Sequence, residues 1–258
     1  MGRMSTVAIA MGLTVSMAAI GLAAIAADKP AAKAPTYAAA AVADKARPKA
    51  DTDRDVHRKP VEMLVYAGIN PGSTVAELIP GGGYFTRVFG KAVAPKGHVY
   101  ALINAGRAGA APPAVKSIAA DPTYAGVITV IEGDLTQAKT PSPVDVVWTS
   151  QNYHDLNATI RKGINKAAFD MLKPGGTYIV LDHSAILGTG DYAMATPATA
   201  LHRIDENLVK LEVLSAGFKL VGESDVLRNA SDTRLTRVFD SQIRGDTDQF
   251  VLKFQKPK

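Results

Sequence analysis

Two groups of histidine and aspartate residues follow strand-like segments near the middle of this 258-residue chain. His154 and Asp155 come shortly after the run VDVVWTS, and Asp182 and His183 lie in the next run, TYIVLDHS. Neighbouring parallel strands end at one edge of a sheet, so we expect these four side chains to converge. Histidine has an unperturbed pKa near neutrality, and a nearby carboxylate can orient its ring. The pattern predicts a general-base site with His154 as the best candidate base and Asp155 or Asp182 as its partner.

The same residue types also suit a divalent metal, which accepts imidazole nitrogen and carboxylate oxygen as ligands. His202, in the segment LHRIDE, could join such a set. Sequence separation gives no mutual distances, so metal-assisted hydrolysis stays an alternative and we assign no metal ligands. We interpret His57 and His98 as surface or capping histidines.

Three consecutive glycines, Gly81, Gly82 and Gly83, form a second candidate site. They follow the apolar run STVAELI and precede apolar residues at helical spacing, which predicts a strand, a turn and a helix. Glycine permits positive φ and a close approach of the backbone to a ligand, which the N–H groups of the helix start can face. The alternative is a structural turn that only packs the helix closely.

Strand-like and helix-like segments alternate from Asp51 to the C-terminus, which predicts βαβ units and a mostly parallel sheet covered on both faces. No helical pattern separates FKLVGESDVL from QFVLKFQ, so we expect an antiparallel strand at one edge. The predicted fold class is α/β, with three layers and seven strands. Helices are expected over 59–67, 85–93, 113–120, 159–171 and 199–216, and strands over 74–79, 98–103, 126–134, 144–150, 177–184, 218–227 and 249–255.

The first 26 residues predict a secretory signal peptide, and hence export to the periplasm. Arg3 precedes the apolar run TVAIAMGLTVSMAAIGLAAIA, and Ala24-Ile25-Ala26 fits the A-x-A cleavage pattern. An uncleaved membrane anchor is the alternative, because the run approaches the ~20 residues of a bilayer span. We interpret residues 27–50, rich in Ala, Lys and Pro, as a leader or tether, and residues 51–258 as the folded domain.

Charge and cysteine content argue against several classes of function. The net charge of +5 arises in residues 1–50, which hold six basic and two acidic residues and leave 23 basic and 22 acidic residues elsewhere. Such balance does not predict a cationic face for nucleic acid, so we expect a small-molecule partner, no nucleic acid, and no membrane partner beyond export. The chain has no cysteine, which excludes thiolate metal sites and thiol nucleophiles.

Taken in order, these motifs resemble those of the class I, Rossmann-like S-adenosylmethionine-dependent methyltransferases. The resemblance is carried by the loop from Glu77 to Gly83, the pair Gly133-Asp134, the strand that begins at Asp145, and the turn LKPGG at 172–176; it spans about residues 56–257. The stretches RKPVEML, GGGYFT, NYHDL, LDHSA and LHRIDE are similar to a group of predicted exported methyltransferases.

The resemblance implies that S-adenosylmethionine is the cofactor and lies on the glycine turn. Glu77 would anchor the loop or bind the methionine ammonium group, and Pro80 and the three glycines would pass beneath the cofactor. Asp134 would bind the adenine amino group. The second strand ends near Asn104, where the family places a ribose-binding carboxylate, and Ile79 stands where the family pattern has its first glycine.

The function implied by the resemblance is methyl transfer to an oxygen or nitrogen atom of a small molecule, with His154 as base. Two alternatives stay open: a periplasmic binding protein that keeps the pocket without turnover, and a metal-assisted hydrolase. The predicted export favours the binding protein, because the methyl donor is made in the cytoplasm. Glu77 and Asp134 favour the methyltransferase, and this is the function that we predict.

Overall fold

Seven strands form one sheet among residues 1–2, 34–106, 113–189 and 201–258, which are the residues that the computed structural model describes. These strands are β1 (Thr74–Leu78), β2 (His98–Asn104), β3 (Ile128–Gly133), β4 (Val144–Ser150), β5 (Leu172–His183), β6 (Lys219–Ser224) and β7 (Gln249–Gln255). Apart from Met1 and Gly2, the predicted signal peptide lies outside the described residues, as does the leader up to residue 33. Within the described part of the chain, no helix combines the length and apolar character that a bilayer span requires.

The strand order is β3-β2-β1-β4-β5-β7-β6. The first five strands pair in parallel, whereas β7 is antiparallel to both of its neighbours, β5 and β6. This confirms the predicted α/β class with a mostly parallel, seven-stranded sheet and antiparallel pairing at one margin. The antiparallel strand itself lies one place inside the edge, because the long segment between β6 and β7 lets the chain return and insert next to β5.

Helices cover both faces of the sheet and create two core layers. Successive strand residues point to opposite faces, so Val75 joins one layer and Ala76 the other. Both faces of β1 are therefore buried, which explains its nearly continuous apolar run. The first layer receives α1 (Thr36–Val42), α4 (Pro60–Ala67), α5 (Tyr84–Val93) and α6 (Ala114–Ala120), and the second receives α7 (Ala158–Met171) and α8 (Glu206–Ser215); the short α2 (Lys49–Thr52) and α3 (Asp55–Arg58) precede α4.

Residues 34–50 differ from the predicted leader. Within them, α1 packs against α4 and α5 and buries Ala38 and Ala41 in the first core layer. Arg47 binds the Asp55 carboxylate of α3 through two hydrogen bonds of 2.6 and 2.9 Å. The predicted boundary at residue 51 therefore falls too late. Its error has a physical reason: alanines three residues apart form an apolar stripe too narrow to stand out in the sequence.

Two predicted element boundaries also move. The helix expected over 199–216 begins at Glu206, because the side chain of Asp205 accepts a hydrogen bond from the backbone N–H of Asn207 and caps the helix there. Residues 199 and 200 lie outside the described part of the chain. The LKPGG segment belongs to β5, whose pairing with β4 begins at Val144 and Leu172 and then shifts register.

Candidate functional site

The glycine turn joins β1 to α5 at the carboxyl edge of the sheet. A Cβ added at Gly81 or Gly82 would meet no atom within 4 Å, so the backbone is uncovered there. At Gly83, whose φ is +77°, a Cβ would lie 2.1 Å from Cδ1 of Ile118 in α6. The two interpretations of the turn thus apply to different glycines. Gly81 and Gly82 leave room for a ligand, and Gly83 permits close helix packing.

Ile79, at the start of this turn, has the left-handed backbone conformation that glycine adopts most readily. Its φ is +52°, a conformation that is rare for a β-branched residue and costs about 1–3 kcal/mol. Two hydrogen bonds hold it: the backbone N–H donates to Leu102 O at 3.0 Å, and Asn152 Nδ2 donates to the carbonyl oxygen at 3.1 Å. The turn therefore begins with a left-handed residue that is not a glycine.

Glu77 is a buried carboxylate beside the turn. It is 2% exposed, and Oε2 accepts a hydrogen bond from Thr86 Oγ1 at 2.5 Å. Burial raises the pKa of Glu77 to about 7, although the Thr86 hydrogen bond and the charge of Arg58 oppose the rise. Burial also lowers the pKa of Arg58 to about 10, and the charge of Arg54 adds to this effect. A carboxylate with one such bond retains acceptor capacity for a ligand.

A cavity of about 190 Å³ lies along the turn next to Glu77. Three further predicted cofactor residues, Pro80, Gly81 and Gly82, line it. The other lining residues are Arg54, Arg58, Ile79, Tyr84, Phe85, Ser150, Gln151 and Asn152.

A larger cavity of about 550 Å³ adjoins the first one. The two share Arg54, Arg58 and Gln151 as lining residues. Arg58 donates to Oε1 of Gln151, and Nε2 of Gln151 donates to Gln249 at 2.8 Å, so these bonded side chains lie where the cavities meet. The remaining walls come from Ala50, Asp51, Asp53, His57, His183, Val238, Phe239, Arg244, Gly245 and Gln249.

The four predicted catalytic residues do converge, around the fully buried Asp182. Oδ1 of Asp182 lies 2.6 Å from Nδ1 of His154 and accepts the backbone N–H of His183 at 2.7 Å. Oδ2 accepts the backbone N–H of His154 at 2.9 Å. Burial opposes ionisation of Asp182, but the charge and hydrogen bond of His154 outweigh it and lower the pKa of this carboxyl. Burial alone would lower the pKa of His154, but the charge and hydrogen bond of Asp182 outweigh it and raise this pKa.

His154 and His183 differ in what they face. His154 is 4% exposed and lines neither cavity; its Nε2 is 3.4 Å from Oδ1 of Asp155. His183 lines the larger cavity, and its Nδ1 lies 2.7 Å from Thr247 Oγ1. Within the described ranges, Nε2 of His183 has no hydrogen-bond partner. Burial lowers the pKa of His183 to about 4, so the ring is neutral at pH 7. The geometry favours His183 over His154 for contact with a bound molecule.

Three predicted cofactor residues line neither cavity: Gly83, which packs against α6, and Asn104 and Asp134, which lie at the β2–β3 side of the turn. Asp134 is exposed, and its Oδ1 accepts hydrogen bonds from the backbone N–H and hydroxyl of Thr136 at 2.9 and 2.8 Å. Asn104 is exposed at the end of β2, opposite Gly133. Glu132, on the neighbouring strand β3, is already engaged: its Oε1 accepts the backbone N–H of Gly106 at 2.9 Å, and its Oε2 lies 2.5 Å from Nζ of Lys116.

Sequence reasoning missed the segment that covers the turn. Tyr84 donates to Asp55 Oδ1 at 2.6 Å, and the guanidinium of Arg58 lies 4.7 Å from the centre of the Tyr84 ring. Arg58 of α3 and Arg54, which directly precedes α3, line both cavities. The signal available in the sequence was the charged run DTDRDVHRKP directly before α4. Gln151 could have been found from its position immediately after β4.

No protein-family model and no curated protein matches the chain. Among solved structures, it is similar to a SAM-dependent methyltransferase from Aquifex aeolicus, at 17% identity and a TM-score of 0.54 over 80% of this chain and 95% of the other. An arsenic(III) S-adenosylmethionine methyltransferase from Chlamydomonas reinhardtii gives 18% and 0.56 over 87% and 74%. The cyclase SpnF gives 15% and 0.55 over 81% of each chain. These structural similarities establish the Rossmann-like methyltransferase fold, and a fold alone does not fix an activity.

Proposed function

We propose that the chain transfers a methyl group from S-adenosylmethionine to an oxygen or nitrogen atom of a small molecule. The observation that carries this proposal is the pair of adjoining cavities. One contains the uncovered glycines and Glu77, the other contains His183, and both contain Arg58 and Gln151. Adjoining cavities suit a donor and an acceptor that must be aligned end to end. Solved structures of similar fold include methyltransferases named for this donor.

The residues of the glycine turn fit this cofactor. Gly81 and Gly82 leave backbone uncovered, and the buried Glu77 has acceptor capacity for an ammonium group. A cation next to Glu77 would favour its ionised form and so oppose the effect of burial. When bound, S-adenosylmethionine supplies an electrophilic methyl group, so the chain's own task is to align the acceptor and receive its proton.

His183 is the residue that we propose to receive this proton. Its ring lines the larger cavity, and Nε2 is free of hydrogen bonds to the described residues. The Nδ1 contact with Thr247 fixes the ring orientation, and Asp182 holds the backbone N–H of His183 at 2.7 Å. His154, the base expected from the sequence, is a positioning residue in this scheme because it lines neither cavity.

A binding protein without turnover is the second candidate function. It is favoured by two observations: β2 ends without a carboxylate at Asn104, and the Asp134 side chain is already engaged by Thr136. The predicted export to the periplasm, away from the site of donor synthesis, points in the same direction. Donor binding and turnover must therefore be measured separately.

Calorimetric titration of the full chain with S-adenosylmethionine measures donor binding. We expect one saturable site, weakened at least tenfold in Gly82→Val, because the new side chain projects into the uncovered turn. Ala120→Val, which places the same side chain at an exposed position at the end of α6, should bind as the parent does. Absence of saturable binding in the parent chain, with cooperative thermal unfolding intact, would reject the proposed donor.

Turnover is measured as release of S-adenosylhomocysteine with hydroxyl- and amine-bearing small molecules as acceptors. His183→Asn should lower the rate by about 10²–10⁴, the range for loss of a general base, while the affinity for the donor stays unchanged. Donor binding with no release from any acceptor would instead support the binding protein. Equal rates for His183→Asn and the parent would remove His183 from the chemistry.

A further inference from the structure

Three residues beside the larger cavity place metal-ligating atoms around one point. Oδ1 of Asp155 lies 3.4 Å from Nε2 of His154 and 3.0 Å from Nδ1 of His202. One ligand atom from each residue lies within 4.8 Å of the others. A tetrahedral ion with ligand bonds of roughly 2.1 Å separates its ligand atoms by roughly 3.4 Å. The cluster therefore needs only a small contraction to hold one ion.

The contacts around His154 leave the correct nitrogen for such an ion. Nδ1 of His154 faces Asp182, so Nε2 is the atom that points to Asp155. Asp182 is itself fixed by two backbone N–H groups, at 2.9 and 2.7 Å. A carboxylate behind a histidine ligand sets the tautomer and the ring orientation in metal sites. This part of the cluster is buried and preorganised.

The backbone at His202 is a second, independent observation. Its φ is +54°, a left-handed conformation that few residues other than glycine adopt and that costs about 1–3 kcal/mol. The conformation presents Nδ1 to Asp155, while the ring packs against Phe239 with centroids 4.7 Å apart. Strain of this kind concentrates where a side chain must be held for a function.

We propose that His154, Asp155 and His202 bind a divalent transition metal ion of the zinc class, with Asp182 positioning His154. Two imidazoles, one carboxylate and a position left for water or substrate are the ligand pattern of catalytic zinc sites. The half-exposed side chain of Asp155 leaves one side of the cluster open to solvent. Arg237, whose Nη2 lies 3.5 Å from Nε2 of His202, is exposed and free to rotate away.

The site lies directly behind one wall of the larger cavity. Phe239 and His183, which contact the rings of His202 and His154, both line that cavity. His183 is not assigned as a ligand, because its Nδ1 is engaged by Thr247 and its ring belongs to the cavity wall. An ion here would act as a Lewis acid beside the bound molecule. The site does not depend on methyl transfer, since its ligands take no part in the glycine turn.

Cobalt(II) is the probe for this site, because its visible absorption reports coordination number. The full chain, purified without a histidine tag and dialysed against a chelator, is titrated with Co²⁺ and then with Zn²⁺ to displace it. We expect one ion per chain with the spectrum of four-coordinate Co²⁺. Asp155→Asn and His202→Asn should each weaken binding at least 100-fold, since even the loss of an outer-shell partner costs 10–100-fold.

The variants are chosen so that folding does not decide the outcome. Asn tolerates the left-handed conformation at position 202 and preserves the shape of the side chain at position 155. The matched control is His98→Asn, which removes a histidine on β2 that lines neither cavity and whose Nε2 lies 2.9 Å from Thr129 Oγ1. It should bind Co²⁺ as the parent does. No saturable Co²⁺ binding, or binding that Asp155→Asn and His202→Asn leave intact, would overturn the proposal.

Discussion

The site has two halves: the β1 half is the glycine turn with Glu77 and Ile79, and the β5 half is Asp182 with His154 and His183. Each half buries one carboxylate, and the pKa values of the two carboxylates shift in opposite directions. Glu77, on β1, accepts one side-chain hydrogen bond, from Thr86, and its pKa is raised to about 7. Asp182, on β5, is bonded to the His154 ring and to two backbone N–H groups, and its pKa is lowered. Burial disfavours the ionised form of both groups. The charges and hydrogen bonds around Asp182 therefore outweigh its burial, whereas those around Glu77 do not.

The difference assigns separate tasks to the two halves. The β5 half satisfies its charges internally, so its side chains are held in place before any ligand arrives. The β1 half keeps an incompletely bonded acid, an uncovered turn and a strained residue, Ile79, in one small cavity. We infer that the β1 half binds a ligand that completes it, and that the β5 half positions groups which act on that ligand or its partner.

Asp182→Asn should have the largest effect on stability. It leaves the buried imidazole of His154 without its carboxylate, and breaking a buried charged pair costs about 3–5 kcal/mol. Urea unfolding at pH 7 should show a loss of that size in the free energy of unfolding. Asp134→Asn, an exposed aspartate after β3, should change it by no more than about 0.5 kcal/mol, because Asn caps as well as Asp. Similar losses in both variants would show that the buried Asp182–His154 pair contributes no more to stability than an exposed cap.

Glu77→Gln should stabilise the protein as the pH rises, whereas Asp182→Asn should destabilise it. The folded-state pKa of Glu77, about 7, exceeds the ordinary value of 4.5, so the folded protein binds the extra proton. The contribution of Glu77 to stability is complete below pH 4.5 and is lost as the pH rises through 7. That loss amounts to about 3 kcal/mol, from about 1.4 kcal/mol for each unit of pKa.

The measurement compares urea unfolding of Glu77→Gln and the parent from pH 4.5 to pH 8. The two proteins should be similar at the acid end, and the variant should become the more stable one as the pH rises. A carboxylate with a lowered pKa, such as Asp182, would change the stability only as the pH falls below its ordinary pKa of 3.8, and would give a flat difference across this range. A constant difference across this range would mean that Arg58 compensates Glu77 fully and that the β1 half is as complete as the β5 half.

The fold could be predicted from the sequence because its signals are local. VDVVWTS and QFVLKFQ are β4 and β7 to the residue, and the turn after STVAELI begins where β1 ends. The insertion of β7 inside the edge could not be predicted, because strand order depends on contacts between distant segments. Ala38 and Ala41 were missed for the same reason: their burial comes from α4 and α5, which lie elsewhere in the chain.

The residue types of the site could be predicted from the sequence, but the directions in which their side chains point could not. Strand ends brought Asp182, His154 and His183 together as expected. Which histidine faces a cavity depends on the tight turn after Gln151, whose φ is +55°, and no pattern in the sequence reports that angle. The contribution of Arg58 was hidden as well, since its position over Tyr84 joins residues 26 apart in sequence.

The smallest expected effect concerns the strained residue of the β1 half. Substitution of Ile79 by Gly or by Ala removes the isoleucine side chain, but only Gly adopts a φ of +52° without cost. Ile79→Gly should therefore be more stable than Ile79→Ala by about 1 kcal/mol in urea unfolding. Ile131 is the control, since it is also partly buried against the second core layer and lies in the regular strand β3.

At position 131 the order should reverse, with Ala above Gly by about 0.5–1 kcal/mol, because Gly loses more conformational freedom on folding. Ala above Gly at both positions would show that the turn relaxes when the isoleucine is removed. In that case the hydrogen bonds from Ile79 to Leu102 and from Asn152 to Ile79 would not define the turn. The β1 half would then be flexible, and a ligand would have to order the turn as well as fill it.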